Sequence, residues 1–101
     1  MKLLIITAIA AFDQDIKKML KQAEVKNFSY KEVTGFKDIS EVSMEGNWFG
    51  SEMSENESIL YYAFVDNGNV DTLIEKVNEF NTQQESLSNI HVAVLNIEKH
   101  N

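Results

Sequence analysis

The sequence contains no arginine and no cysteine, and each absence argues against a class of function. All nine cationic side chains are lysines, and they stand against sixteen carboxylates, so the net charge is −7. Nucleic-acid binding draws its affinity from cations set against phosphates, and arginine supplies the bidentate contacts. A chain without cysteine has no disulfide, no thiolate metal site and no thiol nucleophile. The composition therefore argues against a nucleic-acid partner and against cysteine chemistry.

The sequence also lacks a long hydrophobic run. The apolar start, residues 1–12, is soon followed by Asp13 and Asp15, and losing it as a signal peptide would remove the first strand of a small domain. No stretch reaches the roughly twenty apolar residues of a membrane helix. We therefore expect a cytoplasmic protein with no segment inserted in a membrane.

Length and apolar content fit one domain. The chain has 101 residues, of which 44% are hydrophobic, and this is enough for a single core. We therefore predict one domain over residues 1–101.

Hydrophobic patterns predict six elements in the order β, α, β, β, α, β. The predicted strands cover residues 2–10, 28–36, 58–65 and 90–97. The first helix follows Asp13, its predicted N-cap, and the second covers 70–80 after a turn at 66–69. Gly35 is expected to permit a bend or bulge near the end of the second strand, and residues 37–57 form a long loop.

This order is that of a ferredoxin-like α+β fold, in which a four-stranded antiparallel sheet carries both helices on one face. The first, third and fourth strands are apolar at nearly every position. The sheet face without helices is therefore predicted to be apolar as well. Such a face usually marks a partner surface, and we expect copies of the same chain to cover it.

The first half of the chain resembles the PII-type signalling proteins. The resemblance is carried by the segments DIKKMLKQAEV and YKEVTGF. The matching residues are Asp15, Ile16, Leu20, Ala23, Val25, Val33, Gly35 and Phe36. PII proteins are ferredoxin-like homotrimers with a long T-loop after the second strand, and residues 37–57 occupy that place. The resemblance covers residues 1–80 in the order of elements and the first 36 in recognisable residues.

One departure from this family bears on the ligand. Nucleotide-binding PII proteins carry a Gly-rich, basic loop between the second helix and the last strand, whereas this chain has NTQQESLSN there, with neither glycine nor lysine. We therefore predict that ATP is not bound in the family's usual way. The sequence is more similar to the PII-like group that keeps the trimer but changes the ligand, and some of its members accompany metal-efflux or transport systems.

The resemblance implies a homotrimeric regulatory protein that binds a small ligand or a cation and modulates a partner, such as a membrane transporter, through residues 37–57. The candidate ligand or partner residues are Gly35, Phe36, Lys37, Trp48 and Phe49. The two large aromatic residues in the loop are costly to leave in water. They serve either as anchors for a partner or as contacts folded back onto the domain or a neighbouring subunit.

The same region is strongly acidic. No cationic side chain lies between Lys37 and Lys76, and oxygen-rich clusters suit hard divalent cations. The candidate metal ligands are Glu41, Glu45, Glu52 and Glu55. A solvated loop whose charge aids solubility accounts for the same composition, and no ligand spacing is diagnostic.

Signals for catalysis are poor, because the chain has no nucleophile elbow, no Gly-rich phosphate loop and no patterned acid/base pair. We predict that the protein is not an enzyme. The alternative to a PII-like regulator is an ACT-like dimeric module that binds a small metabolite at the sheet edges. His91, amid apolar residues of the last strand, is predicted to be a hydrogen-bonded structural histidine rather than a metal ligand.

Overall fold

The structure is a computed structural model that describes residues 1–36 and 55–101. Its strands are β1 (Lys2–Ile9), β2 (Ser29–Phe36), β3 (Glu55–Val65) and β4 (His91–Asn96). Its helices are α1 (Asp13–Gln22) and α2 (Asn67–Gln83), and a 3-10 turn at Ala10–Phe12 joins β1 to α1.

The strands form one antiparallel sheet in the order β2-β3-β1-β4. β1 lies at the centre and pairs with both β3 and β4, while β2 forms one edge. α1 connects β1 to β2, and α2 connects β3 to β4. Both helices pack on the same side of the sheet, where they share one core. This is the predicted ferredoxin-like α+β fold.

Alternation along the strands divides the sheet into a helix-facing side and an open side. In β1, the side chains of Leu4, Ile6 and Ala8 are buried, and the residues between them are half-buried. The same alternation runs through β3, where Ile59 and Tyr61 are buried. The helices complete the core with Ile16, Met19, Leu20, Leu73 and Val77.

The C-terminus of α1 ends in a Schellman-type turn. The Val25 amide donates a 2.9 Å hydrogen bond to the Leu20 carbonyl, and the Glu24 amide donates a 3.0 Å bond to the Lys21 carbonyl. Glu24 takes a left-handed conformation, with φ of 62°. Val25 and Leu20 are both buried, which gives the apolar contact that usually accompanies this motif. The turn sets the direction in which the chain enters β2.

Several predicted local features are wrong. Asp13 is the first residue of α1 rather than its N-cap, which is Phe12, and its carboxylate bonds to other side chains instead. The turn expected at 66–69 is largely the first turn of α2, which begins at Asn67. Gly35 lies in regular register opposite Asn56, without a bulge. Residues 55–57, assigned to the loop, belong to β3 because β2 pairs with them.

Candidate functional site

The sheet side without helices, here called the open face, has no covering layer in the part of the chain that the structure describes. The strand register determines which residues belong to this face. They are Leu3, Ile5, Thr7, Ile9, Ser29, Lys31, Val33, Ser58, Leu60, Tyr62, Phe64, His91, Ala93 and Leu95.

Much of the open face is apolar. Phe64, Leu3 and Leu95 form one row across three strands. Phe64 is 60% exposed and Leu95 is 44% exposed, and Tyr62 in the adjacent row is 45% exposed. A contiguous set of large apolar side chains on a folded domain usually marks an interaction surface. The prediction of an apolar open face is confirmed.

One row of this face carries polar side chains at three of its four positions. The register places His91 opposite Thr7, and Thr7 opposite Leu60, whose neighbour on β2 is Lys31. His91 is exposed rather than enclosed in the core, so the predicted structural role for its ring is wrong. Its neighbours in the sequence, Ile90 just before β4 and Val92 within it, pack toward the helices. The apolar neighbours in the sequence therefore belong mainly to the other side of the sheet.

The end of the β2–β3 pair holds two of the predicted ligand or partner residues. Gly35 and Phe36 are the last residues of β2, and the Phe36 side chain is 72% exposed. Glu55 begins β3 opposite Phe36. Lys37, Glu41, Glu45, Trp48, Phe49 and Glu52 lie outside the described residues.

Beside this strand end lies an open cavity of about 330 Å³. It is lined by Ala10, Glu32, Val33, Thr34, Glu57 and Ser58. The two carboxylates make it acidic. Within residues 1–36 and 55–101, no group of three or more acidic or histidine side chains is arranged to hold a metal ion.

The connection between α2 and β4 is tied together by its own polar groups. Gln84 Nε2 donates to the carbonyl oxygens of Ser86 and Ser88 at 2.9 and 2.8 Å, and Gln84 Oε1 accepts from the Ser86 amide at 2.7 Å. Leu87 at its tip is 99% exposed. This segment contains no lysine and no glycine to cradle a phosphate.

A polar network on the helix side was not anticipated from the sequence. The hydroxyl of Tyr61, a residue only 1% exposed, donates a 2.5 Å hydrogen bond to Asp13 Oδ1. Lys17 Nζ donates to Asp13 Oδ2 at 2.9 Å and lies 4.3 Å from the centre of the Tyr30 ring. The sequence did contain one indication of it, namely a tyrosine within an apolar strand, because a buried phenol needs a polar partner.

The network shifts the ionisation of its members. The hydrogen bond from Tyr61, followed by that from Lys17, lowers the pKa of Asp13. The hydrogen bond to Asp13 raises the pKa of Lys17. Burial, followed by the bond to Asp13, raises the pKa of Tyr61 well above its ordinary value. At neutral pH the network therefore consists of a carboxylate, an ammonium group and a neutral phenol, and its role is to hold α1 against the sheet.

No helix in the two described ranges has the length and apolar character needed to cross a bilayer. No protein-family model matches the sequence, and no curated protein sequence matches it.

Solved structures do match the fold. One is CPII, a nitrogen regulatory PII-like protein from Thiomonas intermedia K12, bound to ADP, AMP and bicarbonate. It superposes with a TM-score of 0.60 at 18% identity, over 97% of this chain and 94% of that chain. Another is a DUF3240 family protein from Shewanella baltica OS155, with a TM-score of 0.64 at 17% identity, over 99% of this chain and 92% of the other. At these identities the likeness concerns the fold, and on that ground the chain has a PII-like fold.

Proposed function

We propose that this protein is a PII-like regulator that assembles into a homotrimer through its open face. In this proposal it binds a small ligand or a cation, and it modulates a partner protein, such as a transporter, through residues 37–57. It acts by binding rather than by catalysis. The observation that carries the proposal is the open face, where Tyr62, Phe64 and Leu95 are 44 to 60% exposed.

The charge of the open face favours other copies of this chain as its occupant. Its charged or ionisable members in the described residues are Lys31, Tyr62 and His91, and none of them is a carboxylate. The whole chain carries a net charge of −7. Copies that meet elsewhere would bring like charges together, whereas copies that meet through this face bury apolar side chains away from the carboxylates. Closed symmetric assembly is the usual result of a self-complementary surface.

The position of residues 37–57 favours a role in partner contact. β2 ends at Phe36, whose side chain is 72% exposed, and β3 begins at Glu55 opposite it, so both ends of the segment are fixed at the same end of the sheet. In a symmetric assembly, equivalent acidic segments of all subunits would lie around one axis and concentrate negative potential. A cation or a basic partner surface would respond to that potential.

The α2–β4 connection supports a ligand other than ATP. Its polar groups bond to one another through Gln84, and it offers no cation to a triphosphate. CPII binds ADP, AMP and bicarbonate, and these are the first ligands to test here.

Assembly is tested by native mass spectrometry and light scattering of the purified chain at micromolar concentration. A trimer supports the proposal, a dimer with metabolite at its sheet edges favours the ACT-like alternative, and a monomer contradicts both. The matched variants are Phe64→Ser and Leu87→Ser, which remove a large exposed apolar group on and off the open face, respectively. We expect only Phe64→Ser to dissociate the assembly. Equal effects of the two variants would show that the open face is not the interface.

Ligand binding is tested by thermal shift and calorimetry with ATP, ADP, AMP, bicarbonate, Mg²⁺ and Mn²⁺, each added separately. We expect no stabilisation by ATP and a concentration-dependent rise in Tm with at least one of the other compounds. A shift with ATP comparable to that of an established nucleotide binder would overturn the prediction about the α2–β4 connection.

A further inference from the structure

His91 stands out on the open face because histidine changes its charge between pH 5 and 8. It is exposed, and the register places it opposite Thr7 on β1. Thr7 is a neutral side chain and cannot compensate a positive charge on the ring.

The residues that surround His91 on the open face lie on β4 itself and on β1, β3 and β2. In the next row of the open face lie Ala93 and Ile5, and beyond Thr7 lies Leu60. The other titratable groups on this face, among the residues that the structure describes, are Tyr62 and Lys31. The side chains of α2 pack on the opposite side of β4, where Val92 and Val94 contact the core. Every described neighbour on the open face is thus neutral or cationic at neutral pH.

We propose that His91 makes the assembly of this protein pH-dependent, so that protonation of its imidazole in mildly acidic solution separates the subunits. This inference rests on the proposed function, since it takes the open face as the surface that the copies bury. Removing a charged group from water without an opposite charge is costly, whereas a neutral imidazole can be buried at much lower cost.

The direction in which assembly changes with pH follows from proton linkage. When burial favours the neutral ring, the separated subunit binds more protons than the assembled one, so assembly strengthens as pH rises. For a histidine that is fully buried as the neutral form, a fall of one pH unit weakens assembly by up to about tenfold per subunit.

Protonation of the acidic groups would change the strength of assembly in the opposite direction. Lowering the pH neutralises part of the net charge of −7, which reduces repulsion between copies and strengthens assembly. Weaker assembly in mild acid would therefore be difficult to obtain from the carboxylates and would point to a cationic switch at the interface.

The test measures the subunit concentration at which half of the assembly has dissociated, by light scattering and analytical ultracentrifugation. It compares about pH 7.5 with about pH 5.5, near the two ends of the range in which histidine changes its charge. EDTA in the buffer excludes metal-linked association. For the wild-type chain we expect this concentration to rise at least about tenfold at the lower pH. His91→Gln, which stays neutral, should abolish the rise, and His91→Lys should weaken assembly at both pH values.

His100→Gln is the matched control, because His100 is exposed near the C-terminal end of the sequence and away from the sheet. It should keep the wild-type pH response. An assembly that is equally stable at both pH values, or a response that survives in His91→Gln, would overturn this inference and leave the proposed assembly intact. A wild-type chain that is monomeric at both pH values would overturn the proposed assembly and the inference together.

Discussion

The hydroxyl of Tyr61 donates a 2.5 Å hydrogen bond to the carboxylate of Asp13, joining the middle of β3 to the first residue of α1. The two residues are 48 positions apart in the chain. Asp13 also pairs with Lys17 one turn further along the helix. The carboxylate at the start of α1 is therefore held from both the sheet and the helix, in the position where negative charge is also favoured by the helix dipole.

Replacing Tyr61 by phenylalanine should lower the free energy of unfolding by about 1.5–3 kcal/mol, the usual value for a hydrogen bond to a charged group. The ring packing against Phe28 and Tyr30 is kept, so no cavity forms. Chemical denaturation at fixed protein concentration measures the change. Tyr62→Phe is the control, because this neighbouring hydroxyl lies on the open face, on the other side of the sheet from Asp13. At a protein concentration where the chain is monomeric, it should change stability by less than about 0.5 kcal/mol. Similar losses in the two variants would rule out a specific role for the Tyr61–Asp13 bond.

Acid titration should reveal the same bond. The pKa of Asp13 is lowered in the folded state, first by Tyr61 and then by Lys17. Its stabilisation is therefore present above the ordinary aspartate pKa and is lost as pH falls through the lower folded value. The wild-type chain should lose more stability between neutral pH and acid than Asp13→Asn, as measured by denaturation at a series of pH values. Identical pH profiles would contradict the assignment.

Alkaline titration should separate Tyr61 from an ordinary tyrosine. Burial and the bond to Asp13 raise its pKa, so its stabilisation is complete below the pKa of an unfolded tyrosine and is lost as pH rises through the folded value. In a spectrophotometric titration of the three tyrosines, one should ionise late, together with unfolding. The late component should be missing in Tyr61→Phe. If it persists there, another tyrosine is responsible.

The Asn81 side chain clamps the end of α2 to the start of β4. Its Nδ2 donates to the Ile90 carbonyl at 2.9 Å, and its Oδ1 accepts from the Ile90 amide at 2.8 Å. Asn81→Ala leaves both backbone groups without their partner and should cost about 2 kcal/mol in denaturation experiments. Asn78→Ala on the exposed side of the same helix is the control and should be neutral or slightly stabilising, because alanine is the better helix former. A neutral Asn81→Ala would mean that water replaces the clamp.

Glu24 occupies a backbone conformation that favours glycine, with φ of 62° at the end of α1. Glu24→Gly should raise the free energy of unfolding by about 0.5 kcal/mol, because the relief of left-handed strain exceeds the added freedom of the unfolded chain. Gln22→Gly, two residues earlier at the last residue of α1, should instead lower it by up to about 1 kcal/mol. Thermal and chemical denaturation measure both changes. A loss of stability in Glu24→Gly would show that this side chain stabilises the fold by another contact.

Most of the fold could be predicted because its elements carry strong local patterns. The apolar run of β1 and the helical spacing around Leu73 and Val77 were sufficient for their type and order. Element ends were less accurate. Asn67 and Gly68 are common in turns, yet they begin α2, and Glu57 appeared to belong to a loop, yet it pairs with Thr34. Hydrogen bonds with a distant strand extended β3 beyond its local pattern.

The candidate site was predicted only in part. Gly35 and Phe36 were named from their place before residues 37–57, and the structure places them at the end of β2. His91 was assigned to the wrong environment, because the residues beside it in sequence point mainly to the other side of the sheet. A tyrosine in an apolar strand indicated that Tyr61 needs a polar partner, but nothing local identified Asp13 as that partner, since the pairing depends on how α1 packs across β3.

The sequence by itself determined the element order, the ferredoxin-like class and the presence of more apolar surface than one pair of helices can cover, because these follow from local periodicity and composition. The tertiary structure alone decided which side chains share a face. Strand register set Phe64 beside Leu3 and His91 opposite Thr7, and helix packing brought Tyr61 to Asp13. The physical reason is that such contacts join residues far apart in the chain, and pairing geometry rather than local preference brings them together.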